Sequence, residues 1–149
     1  MTTRKWYLPA LASLVFGVLG CSERKVDNRD IEFIGLTQLR VLMDEARGNP
    51  DKLLLIDPRI ASEFAAGHLP GAVNIRLPEV DRAAGRDPMI ARHSHIVVYG
   101  NDPGSAVAQG MTKKLISRRY KNVRMFAGGI AEWRKAGFAL EQSAPEPGG

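Results

Sequence analysis

Two short apolar runs constrain this chain more than any other feature. Leu53-Leu54-Leu55-Ile56 and Ile96-Val97-Val98-Tyr99 are continuous rather than alternating, as expected of strands covered on both faces in a parallel sheet. Helical patterns separate such runs. Leu39, Leu42, Met43 and Ala46 recur on one stripe, with Thr37 as the expected N-cap and Gly48-Asn49-Pro50 as the stop. Val107, Met111 and Leu115, with Ala108 and Ile116 alongside, form a second apolar face. Shorter helices are expected over Ala61 to Ala66 and Ile130 to Lys135, and further strands over Ile31 to Ile34, Ala72 to Ile75 and Val123 to Phe126. Leu77 to Ala91 is broken by Pro78, Gly85 and Pro88 into loop and helical turns. Strands alternating with helices imply an α/β fold with a mainly parallel sheet.

The first 20 residues read as an address rather than as part of that fold. Arg4 and Lys5, with no acidic residue nearby, precede the 13-residue apolar run Leu8 to Gly20. A membrane-spanning helix takes about 20 apolar residues, so this run suits a signal-peptide core. It ends in Val18-Leu19-Gly20-Cys21, which resembles a bacterial lipobox, whose cysteine becomes the lipidated first residue of the mature protein. Residues 1–20 are therefore expected to be a lipoprotein signal peptide and 21–30 a lipid-anchored tether. A domain over 31–141 and a disordered tail over 142–149 complete the organisation. Ser22 stands where Asp would, by that resemblance, favour inner-membrane retention. The expected location is the cell envelope, on an outer membrane facing the periplasm if the cell has one. The remaining 129 residues suffice for a core. Removing Arg4 and Lys5 from the 21 basic residues leaves 19 against 16 acidic ones, a net charge of +3 that does not imply a nucleic-acid partner.

Three segments carry a family resemblance. The first is Ile56-Asp57-Pro58-Arg59, then Glu63-Phe64, then Gly67-His68-Leu69-Pro70-Gly71-Ala72-Val73-Asn74-Ile75. The second is Val97-Val98-Tyr99 leading into a loop and helix, and the third is Gly128-Gly129-Ile130 with Glu132-Trp133 and Ala136-Gly137-Phe138. In this order they resemble the rhodanese-like family over about Ile31 to Glu141. The resemblance implies a five-stranded parallel sheet with helices on both faces. Asp57 and Arg59, at a strand end, are suited to fixing the loop that follows. Gly67 and Gly71 permit turn conformations closed to other residues. His68 is expected to hydrogen-bond nearby backbone, and Trp133 to anchor a helix to the sheet.

In an active member of that family a cysteine follows the strand ending at Tyr99, and backbone N–H groups cradle its thiolate or persulfide at a helix N-terminus. Here the loop is Gly100-Asn101-Asp102-Pro103-Gly104-Ser105. Gly100 takes the cysteine position, and Cys21, committed to lipid by the reading above, is the chain's one cysteine. A persulfide is a covalent intermediate and needs that sulfur. Pro103 suits the first position of the next helix, Asp102 is expected to cap it, and Ser105 is expected to lie at the helix start.

The leading expectation is a non-catalytic rhodanese-like lipoprotein, a binding or scaffolding module held to the membrane through Cys21, with a protein or a small anion as partner. The alternative is a carrier or enzyme for a sulfur compound or oxyanion that uses the loop without a covalent step. Lys113, Lys114, Arg118, Arg119, Lys121 and Arg124 form a third feature, read either as a solvated helix face or as a cluster facing anionic lipid or nucleic acid. No cofactor is expected, and no metal, because His68, His93 and His95 do not form a ligand spacing. No nucleic-acid partner is expected either.

Overall fold

The computed structural model describes residues 25–143. The signal-type segment, Cys21 and the tail from residue 144 onward lie outside them. A five-stranded sheet is built from β1 (Glu32–Ile34), β2 (Leu53–Asp57), β3 (Val73–Asn74), β4 (His95–Val98) and β5 (Val123–Phe126). Its order is β1-β5-β4-β2-β3, with every pairing parallel. Among the described residues five α-helices lie between the strands, α1 (Leu36–Glu45), α2 (Ala61–Ala66), α3 (Leu77–Arg82), α4 (Pro88–Ala91) and α5 (Ala106–Ser117), and α6 (Gly129–Lys135) follows β5.

The apolar runs sit in the middle of the sheet because successive side chains alternate between its faces. Leu54, Ile56, Ile96 and Val98 join Val80, Ile90, Met111 and Leu115 of α3, α4 and α5 in one buried cluster. Leu55, Val97 and Tyr99 turn the other way and pack with Leu39, Phe126, Ile130 and Trp133, from α1, β5 and α6. Both faces of β2 and β4 are thus closed, which is why neither run carries a polar position until Asp57.

Four sequence expectations change. Thr37 is not a cap: α1 starts at Leu36, directly after β1, with Gly35 at the N-cap and the Gln38 side chain accepting from the Gly35 N–H at 3.2 Å. The third strand is only Val73–Asn74. Folded structure also begins before Ile31. Asp27 caps a short 3-10 turn over Asn28–Asp30, and Lys113 of α5 donates to Asn28 Oδ1 at 3.0 Å, so this part of the expected tether is docked. At the other end Gln142 and Ser143, expected in the tail, bond the carbonyls of Ala66 and Ala65 at the end of α2.

Candidate functional site

Parallel strands bring the loops at their C-terminal ends together, the usual place for a site in open α/β sheets. Here those loops follow β2, β4 and β5. Asp57 ends β2 fully buried, and Arg59, two residues on, is 7% exposed. The two form a fork: Arg59 Nε donates to Asp57 Oδ1 at 2.9 Å and Nη2 to Oδ2 at 2.6 Å. Burial works against the Arg59 charge, but hydrogen bonds and attraction to Asp57 outweigh it and raise its pKa above the ordinary value. The remaining donors of Arg59 reach outward, Nη2 to Gly67 O at 2.8 Å and Nη1 to Asn101 Oδ1 at 2.9 Å. Asn101 Nδ2 passes the chain of bonds on to Glu63 Oε1 at 3.0 Å. Asn74 on β3 donates to the Asp57 and Arg59 carbonyls, both at 2.8 Å.

Below this network lies Tyr99, fully buried just after β4, whose hydroxyl accepts from the Leu69 N–H at 3.1 Å. Burial, and then the negative charge of Asp57, push its pKa well above the usual phenol value. The phenol therefore stays neutral.

The loop after Tyr99 is pinned from two sides. Gly100 O and Asn101 O accept from the Ile130 and Ala131 N–H groups of α6, each at 2.9 Å. In a trans peptide the next N–H points opposite to the carbonyl, and no peptide among the described residues is cis. The Asn101 and Asp102 N–H groups therefore point away from α6. This close approach explains Gly129. Its φ is +57°, and a Cβ there would lie 2.5 Å from Gly100 O. At Gly100 the space a Cβ would need is already filled by Ser105 Cβ and Oγ.

The expected cap does not form. Helix α5 begins at Ala106, not at Pro103, with Ser105 at the N-cap position and no side-chain cap bond. Asp102 instead accepts from the Gly104 N–H at 2.9 Å, within its own loop, because Pro103 and Gly104 form a turn before the helix. An aspartate two residues before a free N–H favours that local closure. Pro103 thus belongs to the turn.

The other singled-out residues have bonds and contacts outside this loop. His68 Nδ1 lies 2.9 Å from Phe64 O, the ring stacks on Phe64, and its Nε2 is 3.7 Å from Glu141. Gly71 has φ +73° in an open turn. Gly128 precedes α6 as its N-cap. Trp133 is buried, with Nε1 donating to Ala139 O at 2.8 Å. The basic residues that read either as a solvated face or as a cluster bond separate partners. Lys113 bonds Asn28, Lys114 pairs with Asp81 at 2.9 Å, and Arg124 pairs with Glu32 at 2.7 Å. Arg118 donates to the carbonyls of Asp81, Ala83 and Gly85. Glu63 and Asn74 enter the sequence reading only as carriers of the resemblance; their bonding roles and the bridging role of Asn101 are not foreseen there, since a side chain that joins distant segments leaves no periodic or spacing signal.

Comparison with known proteins bears on this arrangement. The family model described as rhodanese-like domain matches residues 39–136. The chain is 29% identical over 99 residues to an HTH-type transcriptional regulator of Mycobacterium tuberculosis, covering 66% of this chain and 42% of that protein. It is 33% identical over 98 residues to an adenylyltransferase and sulfurtransferase of Candida albicans, covering 60% and 21%. The chain thus spans less than half the length of either relative. Among solved structures it resembles a human single-domain sulfurtransferase, with 30% identity, a TM-score of 0.54, and coverage of 69% of this chain and 95% of the other.

Proposed function

This chain belongs to the rhodanese-like domain family, and on that premise we propose that it is a binding or scaffolding module that carries out no covalent sulfur transfer. The observation that carries the proposal is Gly100. By the family resemblance it takes the position of the sulfur nucleophile, just past Tyr99, and Ser105 fills the space a side chain there would need. A serine hydroxyl cannot carry the persulfide that sulfur transfer passes through. Asp102 within the loop and Glu63, bonded to Asn101, are acidic side chains that disfavour an anion there. Cys21 is proposed as the lipid attachment, which places the module on the envelope, facing the periplasm where there is an outer membrane. Acyl labelling that survives Cys21→Ser would refute that placement.

The proposal is tested by assaying thiosulfate:cyanide sulfur transfer with the full chain and its Cys21→Ser variant. Both are expected to match the protein-free blank, and turnover in the Cys21→Ser chain would overturn the reading. Gly100→Cys alone is expected to stay silent because of the overlap with Ser105. The double variant Gly100→Cys/Ser105→Gly gives the sulfur room and asks whether the rest of the cradle works.

A second reading has its own support. Similarity to a sulfurtransferase at 30% identity, together with Asn101 and Asp102 N–H groups that point away from α6, favours a protein that binds or carries a sulfur compound or oxyanion without a covalent step. Calorimetry with thiosulfate and sulfate at millimolar concentration separates the two. Saturable binding lost in Asn101→Pro, which removes one of those donors, supports the second reading.

A further inference from the structure

The geometry points to a second ligand site, for a phosphate group, at the end of the sheet opposite the 100–105 loop. It does not rest on the function proposed for that loop. The turns that precede β4 and β5 meet there around a cavity of about 360 Å³, lined by Arg86, His93, Ser94, Tyr120, Lys121 and Asn122 among others. No aspartate or glutamate lines it, and Asp87, next in sequence to Arg86, turns its Oδ1 to the Met89 N–H.

The cavity is built rather than incidental. Arg86 Nη1 donates to Arg119 O at 3.1 Å, holding the arginine against the turn before β5. Asn122 Nδ2 donates to Ser94 O at 2.8 Å, tying the two turns together. Arg119 and Asn122 both adopt left-handed backbone, with φ of 61° and 52°, a conformation uncommon outside glycine and held here by the surrounding bonds. Lys121 lies between them and is exposed.

His93 supplies the independent observation. It is 9% exposed, and its Nδ1 is buried with no hydrogen-bond partner among the described residues. Buried polar atoms in native proteins are almost always partnered, so such an atom calls for an explanation. The atom is closed off from solvent in the free chain, so a ligand in the cavity reaches it only when the ring turns toward that space. Two cations, an imidazole, two hydroxyls and an amide, with no aspartate or glutamate in the lining, match a tetrahedral dianion, whose oxygens accept from several donors at once. The cavity falls within the range of about 300–1,000 Å³ common for small-ligand pockets. It has room for the organic part of a phosphomonoester as well as for free phosphate.

The test uses the full chain in a neutral detergent, titrated with inorganic phosphate and followed by amide and imidazole resonances. Saturable shifts are expected at His93, Lys121 and Asn122, with a dissociation constant of low millimolar or tighter. Lys121→Glu, a surface change that leaves the Arg86 and Asn122 ties in place, is expected to weaken binding at least tenfold. Arg76→Ala, which removes a charge at the other end of the sheet, is expected to leave it unchanged. Non-saturating shifts, shifts confined to 100–105, or equal affinity in Lys121→Glu would overturn the site. Soluble short-chain phosphatidic acid and phosphatidylglycerol then identify the source. Tenfold tighter binding of the monoester than of inorganic phosphate, and weak binding of the diester, marks a lipid headgroup. Equal or weaker binding of the monoester marks a free phosphate.

Discussion

The two ends of β4 carry opposite kinds of polar surface. At its C-terminal end, Asp57, Arg59, Asn101 and Glu63 form one continuous chain of bonds, and the 100–101 carbonyls are taken up by α6. At its N-terminal end, His93 Nδ1 has no described partner and the cations face a cavity without acidic residues. The sheet itself is the same in both places. A polar group bonded to its own protein adds to rigidity, whereas a buried one left unpartnered carries an unmet desolvation cost that a rearrangement or a ligand can relieve. The end where the family fold puts its chemistry is thus the more self-contained one in this chain.

The sharpest way to break that contrast is to cut the network at its root. Asp57→Ala leaves the buried Arg59 guanidinium without its carboxylate, and removing one partner of a buried pair costs about 3–5 kcal/mol. Urea unfolding is expected to show a loss of that order. Asp57→Leu/Arg59→Leu, which removes both charges, is expected to recover most of it. A cost below about 1 kcal/mol for the single change would mean that water, not Asp57, satisfies Arg59.

A smaller loss is expected where the loop meets α6. Gly129→Ala places a Cβ against Gly100 O and forces a left-handed alanine, for about 1–3 kcal/mol. Gly71→Ala has the same backbone problem but open space around it, so its cost is expected to be lower. If the two are equal in urea unfolding, the tight approach of loop and helix contributes nothing.

Much of this fold is legible in the sequence, and the reasons are local. Continuous runs such as Leu53 to Ile56 fix doubly covered strands, and the stripe through Val107, Met111 and Leu115 fixes α5, because period and burial are properties of neighbouring residues. The element ends are less legible. Thr37 and Asp102 both look like caps, yet Gly35 and a local turn at Gly104 win, since a cap is chosen by where the preceding strand or loop delivers the chain. The Asp57-Arg59 pair is visible as two charges at a strand end, but its extension through Asn101 and Glu63 joins residues about 40 positions apart. The cavity at His93 is hidden for the same reason: Arg86, His93 and Lys121 are brought together only by the meeting of two turns.

Tyr99 gives a pH-dependent test of how tightly the C-terminal end is sealed. Its pKa is raised in the folded chain, so below about pH 10 the phenol is protonated in both states and contributes no slope. Above that value the unfolded chain releases the proton while the folded chain keeps it, and stability falls as pH rises, by up to about 1.4 kcal/mol per pH unit. The difference between wild type and Tyr99→Phe is expected to show this slope between pH 10 and 11.5. Parallel stability curves over that interval would mean that the phenol ionises with the protein still folded.

The smallest effect is expected at Asp102, and it decides what holds the loop. As a helix cap it would contribute about 1–2 kcal/mol, because a capping side chain satisfies the first turn of the helix it precedes. In the structure its carboxylate is exposed and accepts only from the Gly104 N–H, and an exposed hydrogen bond of that kind contributes about 0.5–1 kcal/mol at most. Asp102→Ala is therefore expected to lower stability by less than about 1 kcal/mol and to leave hydrogen exchange in the first turn of α5 unchanged. Asn101→Ala, which cuts the loop from both Arg59 and Glu63, is expected to speed exchange across residues 100–105. If Asp102→Ala instead exposes the start of α5, the carboxylate governs the loop, and the rigidity of this end comes from its own aspartate rather than from the buried arginine below it.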